Sequence, residues 1–221
     1  MYNEEESIES ALEEGVAFVK EHVPDWEIVV VDDGSKDRCA ELVAAIAETE
    51  PRLRLIQHEV NSGMGAGMKT GIKSATKDLF VFLPADGQIE AAEIAKMIPM
   101  LGRADIVLSD YGNRPNSFLR TAMSRGFRLY LRTLAGVKFR LEGLYLYPRE
   151  LALEVLDDIE GNTFFFSFQL IQLGVERGAS TALTTIASKH REAGKSKVGN
   201  WPRIKRVGLE VWDYRQRRRR R

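Results

Sequence analysis

Two segments of this chain place carboxylates where an apolar run stops. Asp78-Leu-Phe-Val-Phe-Leu-Pro-Ala-Asp-Gly-Gln88 reads as a strand ending on an Ala-Asp-Gly-Gln turn. Trp26-Glu-Ile-Val-Val-Val-Asp-Asp-Gly-Ser35 repeats the design, closing a β-branched run on two acids, a glycine and a hydroxyl. In an open α/β sheet the carboxyl ends of parallel strands face the crevice where ligands bind, and a carboxylate there can hold a divalent cation against a diphosphate. Asp86 is therefore the first candidate metal ligand. Pro, Asp and Gly are also ordinary turn formers, and taken alone such a segment is more often structural. A third constellation comes late. His190-Arg-Glu-Ala-Gly-Lys-Ser-Lys197 follows a predicted strand at 180–186 and joins cations, a hydroxyl and a flexible glycine. Arg191 suits a forked grip on phosphate, with Lys195 and Lys197 as point charges; the competing reading is a solvated basic loop.

The elements that must hold these segments follow from hydrophobic period. Continuous apolar runs suit strands covered on both faces, and the stretches between them have helical spacing: Ile8, Leu12, Val16 and Val19, then Leu42, Val43, Ile46 and Ala47, with Ser35 or Asp37 placed to cap the second helix. Strand, helix and strand continue through 53–56, a helix over 64–75, the Asp78 strand, a helix over 91–101 and a strand at 106–108. The pattern predicts a doubly wound, mostly parallel α/β sheet flanked by helices.

The glycine cluster Asn61-Ser-Gly-Met-Gly-Ala-Gly-Met-Lys-Thr-Gly71 superficially offers a phosphate cradle. A P-loop needs glycine directly before its Lys-Thr pair, where Met68 stands, and the glycine spacing also misses the dinucleotide fingerprint. The favoured reading is structural. Gly63 and Gly65 shape a turn into a helix whose small face, Gly67 and Gly71, packs on the sheet, with backbone amides near a ligand as a secondary role.

A length of 221 residues is most simply one domain with a substantial core. Its 32 basic and 32 acidic residues cancel, which argues against an extended nucleic-acid-binding face. Charge is uneven: Glu4-Glu-Glu6 is acidic, and Arg215-Gln-Arg-Arg-Arg-Arg-Arg221 basic. A single cysteine, Cys39, precludes an internal disulfide and fits a reducing, cytoplasmic compartment. No apolar run approaches the roughly 18 residues of a membrane span. Phe118–Leu134 is amphipathic and basic, carrying Arg120, Arg125, Arg128 and Arg132, as suits an anionic membrane interface; a solvated helix with one core face explains it nearly as well. The arginine tail adds about 1 kcal/mol per charge near such a surface. Phe164-Phe-Phe-Ser-Phe168 belongs to the core or an acceptor groove. His22 and His58 lack ligand spacing and read as surface or turn residues, and His190 borders the late basic loop.

Taken together, Tyr2-Asn-Glu-Glu5, Val31-Asp-Asp-Gly-Ser35, Asn61-Ser-Gly-Met-Gly, Leu83-Pro-Ala-Asp-Gly-Gln88 and the 190–197 loop occur in the order and approximate spacing of glycosyltransferase family 2. The chain resembles its dolichol-phosphate mannose synthase-like branch from the first residues to about Asn200, leaving 201–221 as a helix and arginine-rich tail. The resemblance implies a GT-A fold, a nucleotide-sugar donor (a GDP- or UDP-sugar), Mg²⁺ or Mn²⁺, inverting transfer to an acceptor such as a polyprenyl phosphate, and peripheral contact with the inner face of the cell membrane. It also implies residue roles. Tyr2, Glu4, Val31, Asp32, Asp33 and Ala85 border the nucleotide, and Asp32 and Asp33 contact base and ribose. Asp86 and Gln88 hold the metal and donor. Arg191, Lys195 and Ser196 close over phosphates, and Asp86, Arg191 and Lys195 carry catalysis.

Departures from that pattern set further expectations. The apolar strand that usually precedes Tyr-Asn-Glu is missing, which would leave its neighbours unpaired. Pro84 replaces the first DxD aspartate. Asp110 falls where relatives often carry a phosphate-facing arginine, with Arg114 a possible substitute, and Leu141-Glu-Gly-Leu-Tyr145 replaces an acceptor-site Thr-Ser-Gly-Phe-Arg pattern. A phosphate acceptor is already anionic and needs no general base; Glu142 is the candidate base for a hydroxyl acceptor. The alternative to a transferase is a noncatalytic nucleotide-sugar-binding or scaffold protein that has lost part of the site.

Overall fold

The computed structural model describes residues 1–112, 118–189 and 201–218, with backbone alone for 118–124 and 201–204. Elements run α1 (Ile8–His22), β1 (Ile28–Asp32), α2 (Cys39–Thr49), β2 (Leu53–Gln57), α3 (Met64–Ser74), β3 (Leu79–Val81), β4 (Ile106–Tyr111), α4 (Phe118–Leu134), β5 (Tyr145–Pro148), α5 (Arg149–Leu156), α6 (Phe165–Glu176), β6 (Thr181–Ile186) and α7 (Trp201–Arg218). The predicted period holds in α1, where Ile8, Leu12 and Val16 are buried against Val30, Val43 and Leu53. Five successive residues of β4, Ile106 through Asp110, are buried, as expected of a strand covered on both faces.

The helix expected over 91–101 is instead two short 3-10 helices, Ala91–Lys96 and Ile98–Met100. Pro99 has no N–H for an α-helical bond, and its ring clashes with the carbonyl four residues back. The segment also has a side-chain anchor: the buried Glu93 carboxylate accepts the Ala187 N–H at 2.7 Å and pairs with Lys96.

The α/β architecture is present, but the strands form two sheets rather than one. β1 pairs parallel with β2, Ile28 opposite Leu53 through Asp32 opposite Gln57. The second sheet has the order β3-β5-β4-β6, with β5 antiparallel to both neighbours and β4 parallel to β6. Among the described residues, β1 and β3 each keep one edge without a ladder partner. Along this edge of β1 the Met1 amine donates to Val31 O and the Met1 carbonyl accepts the Asp33 N–H at 2.9 Å. Helices bridge the two sheets instead: Ser7 Oγ donates to Ala85 O at 2.8 Å, and α3 places Gly71 against both Val31 and Phe82.

The glycine cluster divides differently from expectation. Cβ atoms at Gly67 and Gly71 would meet the sheet at 3.7–3.9 Å, which is ordinary contact. The close approach belongs to Gly63 and Gly65, which press on the 161–162 loop. A Cβ on Gly65 would sit 2.8 Å from Asn162 Cα, and the Gly65 N–H donates to Asn162 O at 2.9 Å. Gly65→Ala should therefore destabilise the protein by about 1–3 kcal/mol, whereas Gly67→Ala, at a helical position with room, should stabilise it by about 0.5–1 kcal/mol. Urea unfolding of the two variants tests this contrast, and equal effects would refute the assignment of the close contact to Gly65.

α7 packs into the body of the protein. Val207, Val211 and Tyr214 are buried with Leu131, Ala135 and Phe165, and Tyr130 O–H donates to Gly208 O at 2.9 Å. Phe165 and Phe166 of the aromatic run are core residues. Two tail arginines are engaged on the protein's own acids, Arg217 with Glu160 and Arg218 with Glu176. Among the described residues no helix is long and apolar enough to cross a membrane.

Candidate active site

Because β5 is antiparallel to both β3 and β4 while β4 is parallel to β6, the carboxyl ends of β3, β4 and β6 open on one rim. The Asp86 turn lies at this rim. Asp86 Oδ1 accepts the Gln88 N–H at 3.2 Å, and Gly87 adopts φ 67°, so the aspartate shapes its own turn. A carboxylate has two acceptor oxygens, which leaves the second for a cation. Lys189 N–H donates to Gln88 O at 2.8 Å, so the chain leaving β6 starts beside this turn. Lys189 itself pairs with Glu90.

Residues 1–5 are stitched along the loop that follows β1. Asn3 N–H donates to Ser35 Oγ at 3.0 Å, Lys36 N–H to Asn3 Oδ1 at 2.9 Å, and Glu5 N–H to Asp37 Oδ2 at 3.1 Å. Glu4 O accepts the Ser7 and Ile8 N–H groups at the start of α1, and Tyr2 is half-buried. Through these bonds and the Ser7–Ala85 link, Tyr2, Glu4, Val31, Asp32, Asp33, Ala85, Asp86 and Gln88 lie along neighbouring segments of one rim. Arg191, Lys195, Ser196, His190 and Lys197 lie outside the described residues, as does Arg114.

Asp32 and Asp33 are both buried. Asp32 Oδ1 accepts Ser35 N–H at 3.0 Å and the Ser35 hydroxyl. Asp33 accepts Ser62 N–H at 2.9 Å on Oδ1 and Gly63 N–H at 2.8 Å on Oδ2, so it ties the turn preceding α3 to the end of β1. His58, read from sequence as a surface or turn residue, completes this tie. Its Nδ1 lies 2.8 Å from Asp33 Oδ1 and its Nε2 2.9 Å from Thr70 Oγ1. Since a carboxylate only accepts, Nδ1 is the donor. The available signal was position: His58 directly follows β2, and its amide donates to Asp32 O at 2.8 Å.

Asp37, not Ser35, serves the start of α2, accepting Cys39 N–H at 3.1 Å. Burial pushes the Cys39 thiol up to about 11, and its Sγ donates to Asp37 Oδ2 at 3.4 Å; the cysteine is an unreactive thiol at neutral pH.

A cluster of charges occupies the same rim at the start of β5. Arg128 and Arg140 both meet Glu142 Oε1, at 2.7 and 3.3 Å, and Arg140 also meets Asp110 Oδ2 at 3.2 Å. Glu142 is thus tied to two guanidiniums and is not a free solvent-facing base. Arg140 was not singled out from the sequence: Glu142 lies only two residues away, but its other partner, Asp110, comes from β4.

Asp86 and Gln88 carry side-chain oxygens of the kind that would serve a metal. Among the described residues, no three His, Cys, Asp or Glu side chains converge on a metal site. Mg²⁺-type sites use one or two carboxylates and take their remaining ligands from substrate phosphates and water. One carboxylate and one amide fit that arrangement.

The model of glycosyl transferase family 2 matches residues 1–168, well over half the chain. This chain belongs to glycosyl transferase family 2. The family 2 chain is 27% identical over 194 residues to a dolichyl-phosphate beta-glucosyltransferase of Dictyostelium discoideum, covering 78% of this chain and 59% of that protein. It is 30% identical over 168 residues to an undecaprenyl-phosphate 4-deoxy-4-formamido-L-arabinose transferase of Pectobacterium carotovorum subsp. carotovorum, covering 74% of this chain and 51% of that protein. It therefore spans less than two thirds of either relative. In fold it resembles glucosyl-3-phosphoglycerate synthase from Mycobacterium tuberculosis, solved with Mn²⁺, UDP-glucose and glycerol 3-phosphate, with a TM-score of 0.65 and 19% identity over 97% of this chain and 74% of that one. The fold is GT-A, with its sheet divided between β1 and β3.

Proposed function

We propose that this family 2 chain transfers a sugar from a nucleotide-diphosphate sugar to a polyprenyl phosphate, with inversion. The observation that carries the proposal is the meeting, on one rim, of the Asp86 turn, the β1 carboxyl end and the chain leaving β6. The relatives' names support the acceptor class, since both act on polyprenyl phosphates. An acceptor phosphate oxygen attacks the anomeric carbon, the bond from that carbon to the diphosphate oxygen breaks, and the nucleoside diphosphate leaves with the electron pair. The phosphate acceptor is already an anion, so no general base is required. The engagement of Glu142 by two arginines agrees with this.

Asp86 and Gln88 would hold Mg²⁺ or Mn²⁺, which when bound neutralises charge on the diphosphate. Arg191, Lys195 and Ser196 would close over the phosphates and stabilise the leaving group. Tyr2, Glu4, Val31 and Ala85 would line the nucleotide. Asp33, with both oxygens on the 62–63 turn, would support the base-binding floor alongside Asp32. The protein would act at the cytoplasmic face of the membrane. Leu129 is 61% exposed and Trp212 48% exposed, and with the exposed Arg125 and Arg132 they suit an anionic interface.

The test is release of nucleoside diphosphate from GDP- and UDP-sugars, with Mn²⁺ or Mg²⁺, on adding polyprenyl phosphate. Acceptor- and metal-dependent release is expected. Donor binding without turnover under every combination would replace this reading with the noncatalytic one, which Pro84 favours.

A further inference from the structure

We propose that Arg128 and Arg140 form a clamp for the acceptor's phosphate monoester, and that Glu142 occupies the clamp as a built-in substitute anion until that phosphate displaces it. This rests on the reading of the rim as a transferase site and adds to it the residues that take the acceptor.

Strand register supplies the location. β3 and β5 pair Leu79 with Pro148, Phe80 with Tyr147 and Val81 with Leu146. The same count sets Phe82 beside Tyr145, and their rings are 5.7 Å apart. The chain leaving β3 toward Asp86 and the chain entering β5 from Glu142 therefore lie beyond the same end of this strand pair. From the other side, Glu142 N–H and Gly143 N–H donate to Ser109 O at 3.1 and 3.2 Å, which holds the cluster at the carboxyl end of β4.

The two carboxylates differ in how firmly they are held. Asp110 has a side-chain exposure of 12% and accepts the Thr185 hydroxyl at 2.9 Å on the oxygen that Arg140 does not use. It is a fixed post that aims Arg140 along the rim. Glu142 is 24% exposed, and a single oxygen, Oε1, receives one nitrogen from each arginine. Neither of these pairs is the two-pronged fork that guanidinium makes with carboxylate or phosphate at its strongest. The arginine side chains are 41% and 48% exposed, so an incoming ligand can reach them. Ion pairs this exposed contribute little, whereas a phosphate can take both guanidiniums on separate oxygens. Exchange of Glu142 for phosphate therefore favours phosphate. A neutral resting cluster also spares the free enzyme the repulsion of two adjacent cations.

The experiment measures acceptor and donor KM separately, together with direct binding of inorganic phosphate by calorimetry. Arg140→Ala and Arg128→Ala should each raise the polyprenyl-phosphate KM about tenfold, with the donor KM unchanged. Glu142→Gln should act in the opposite direction, lowering the acceptor KM and tightening inorganic phosphate. A water-soluble isoprenyl phosphate and inorganic phosphate separate headgroup from lipid: both should compete with the polyprenyl phosphate and show the same order among variants. A higher acceptor KM in Glu142→Gln would overturn the proposal and leave a structural ion pair, and a rise in donor KM alone in the arginine variants would assign them to the donor diphosphate. If no transfer is found but Glu142→Gln still tightens phosphate and the arginine variants lose it, the clamp stands and the transferase reading falls. If transfer proceeds with acceptor KM unchanged in all three variants, the clamp falls alone.

Discussion

Asp86→Ala should abolish metal-dependent donor binding and lower turnover by roughly 100- to 1,000-fold, the loss typical when a group stabilising developing charge is removed. Its structural effect should be small, because the bond it accepts within the turn is a long contact with Gln88 N–H at 3.2 Å worth about 1 kcal/mol. Asp86→Asn separates the two roles. The amide oxygen can still accept from Gln88, but the negative charge that attracts the cation is gone, so the asparagine variant should fold normally and fail with the alanine variant. Titrating Mn²⁺ against donor binding by calorimetry provides the measurement. Wild-type affinity in both variants would remove Asp86 from the metal site and with it the basis of the proposed mechanism.

Asp33→Ala should be the most damaging change at the rim for stability, by about 3 kcal/mol, together with a loss of donor affinity. The substitution strands the Ser62 and Gly63 amides and the His58 ring nitrogen, all of which now donate to one buried carboxylate, and each buried donor left unpaired costs about 1–3 kcal/mol. Asp33→Asn should lie close behind, because its NH₂ group confronts a backbone donor where the carboxylate offers an acceptor. His58→Ala should cost about 1 kcal/mol, since it removes one partner from the outer side of the cluster. Urea unfolding with and without donor distinguishes these outcomes. A loss under 1 kcal/mol in Asp33→Ala would show that the 62–63 turn is held by other contacts.

Much of this site was readable along the chain. The apolar runs ending at Asp32 and near Asp86 announce strands and their loops, and the helical spacing of Ile8, Leu12 and Val16 is found on the buried face of α1. The aromatic run at 164–168 supplies core residues as read, and the ordered motifs identify the family. Readings failed where a residue's neighbour comes from far along the chain. His58 looks unremarkable beside Gln57, yet its partners Asp33 and Thr70 arrive from the turn after β1 and from α3. Gly65 reads as a glycine that shapes a turn, and its tight contact is a loop almost a hundred positions later. The tail arginines resemble a free basic patch, but two of them pair with acids on other parts of the chain. The 91–101 helix failed for a local reason, a proline whose consequence the apolar period hides.

By itself the sequence determined the alternation of strands and helices, the carboxylates at strand ends and membership of the family, because β-branched runs, turn formers and helical period act over a few residues. Tertiary structure alone decided that Asp33 is a turn anchor shared with His58, and that Glu142 lies between two arginines. Each of these depends on which distant groups come within bonding distance, and that is set by strand pairing and helix packing across the whole domain.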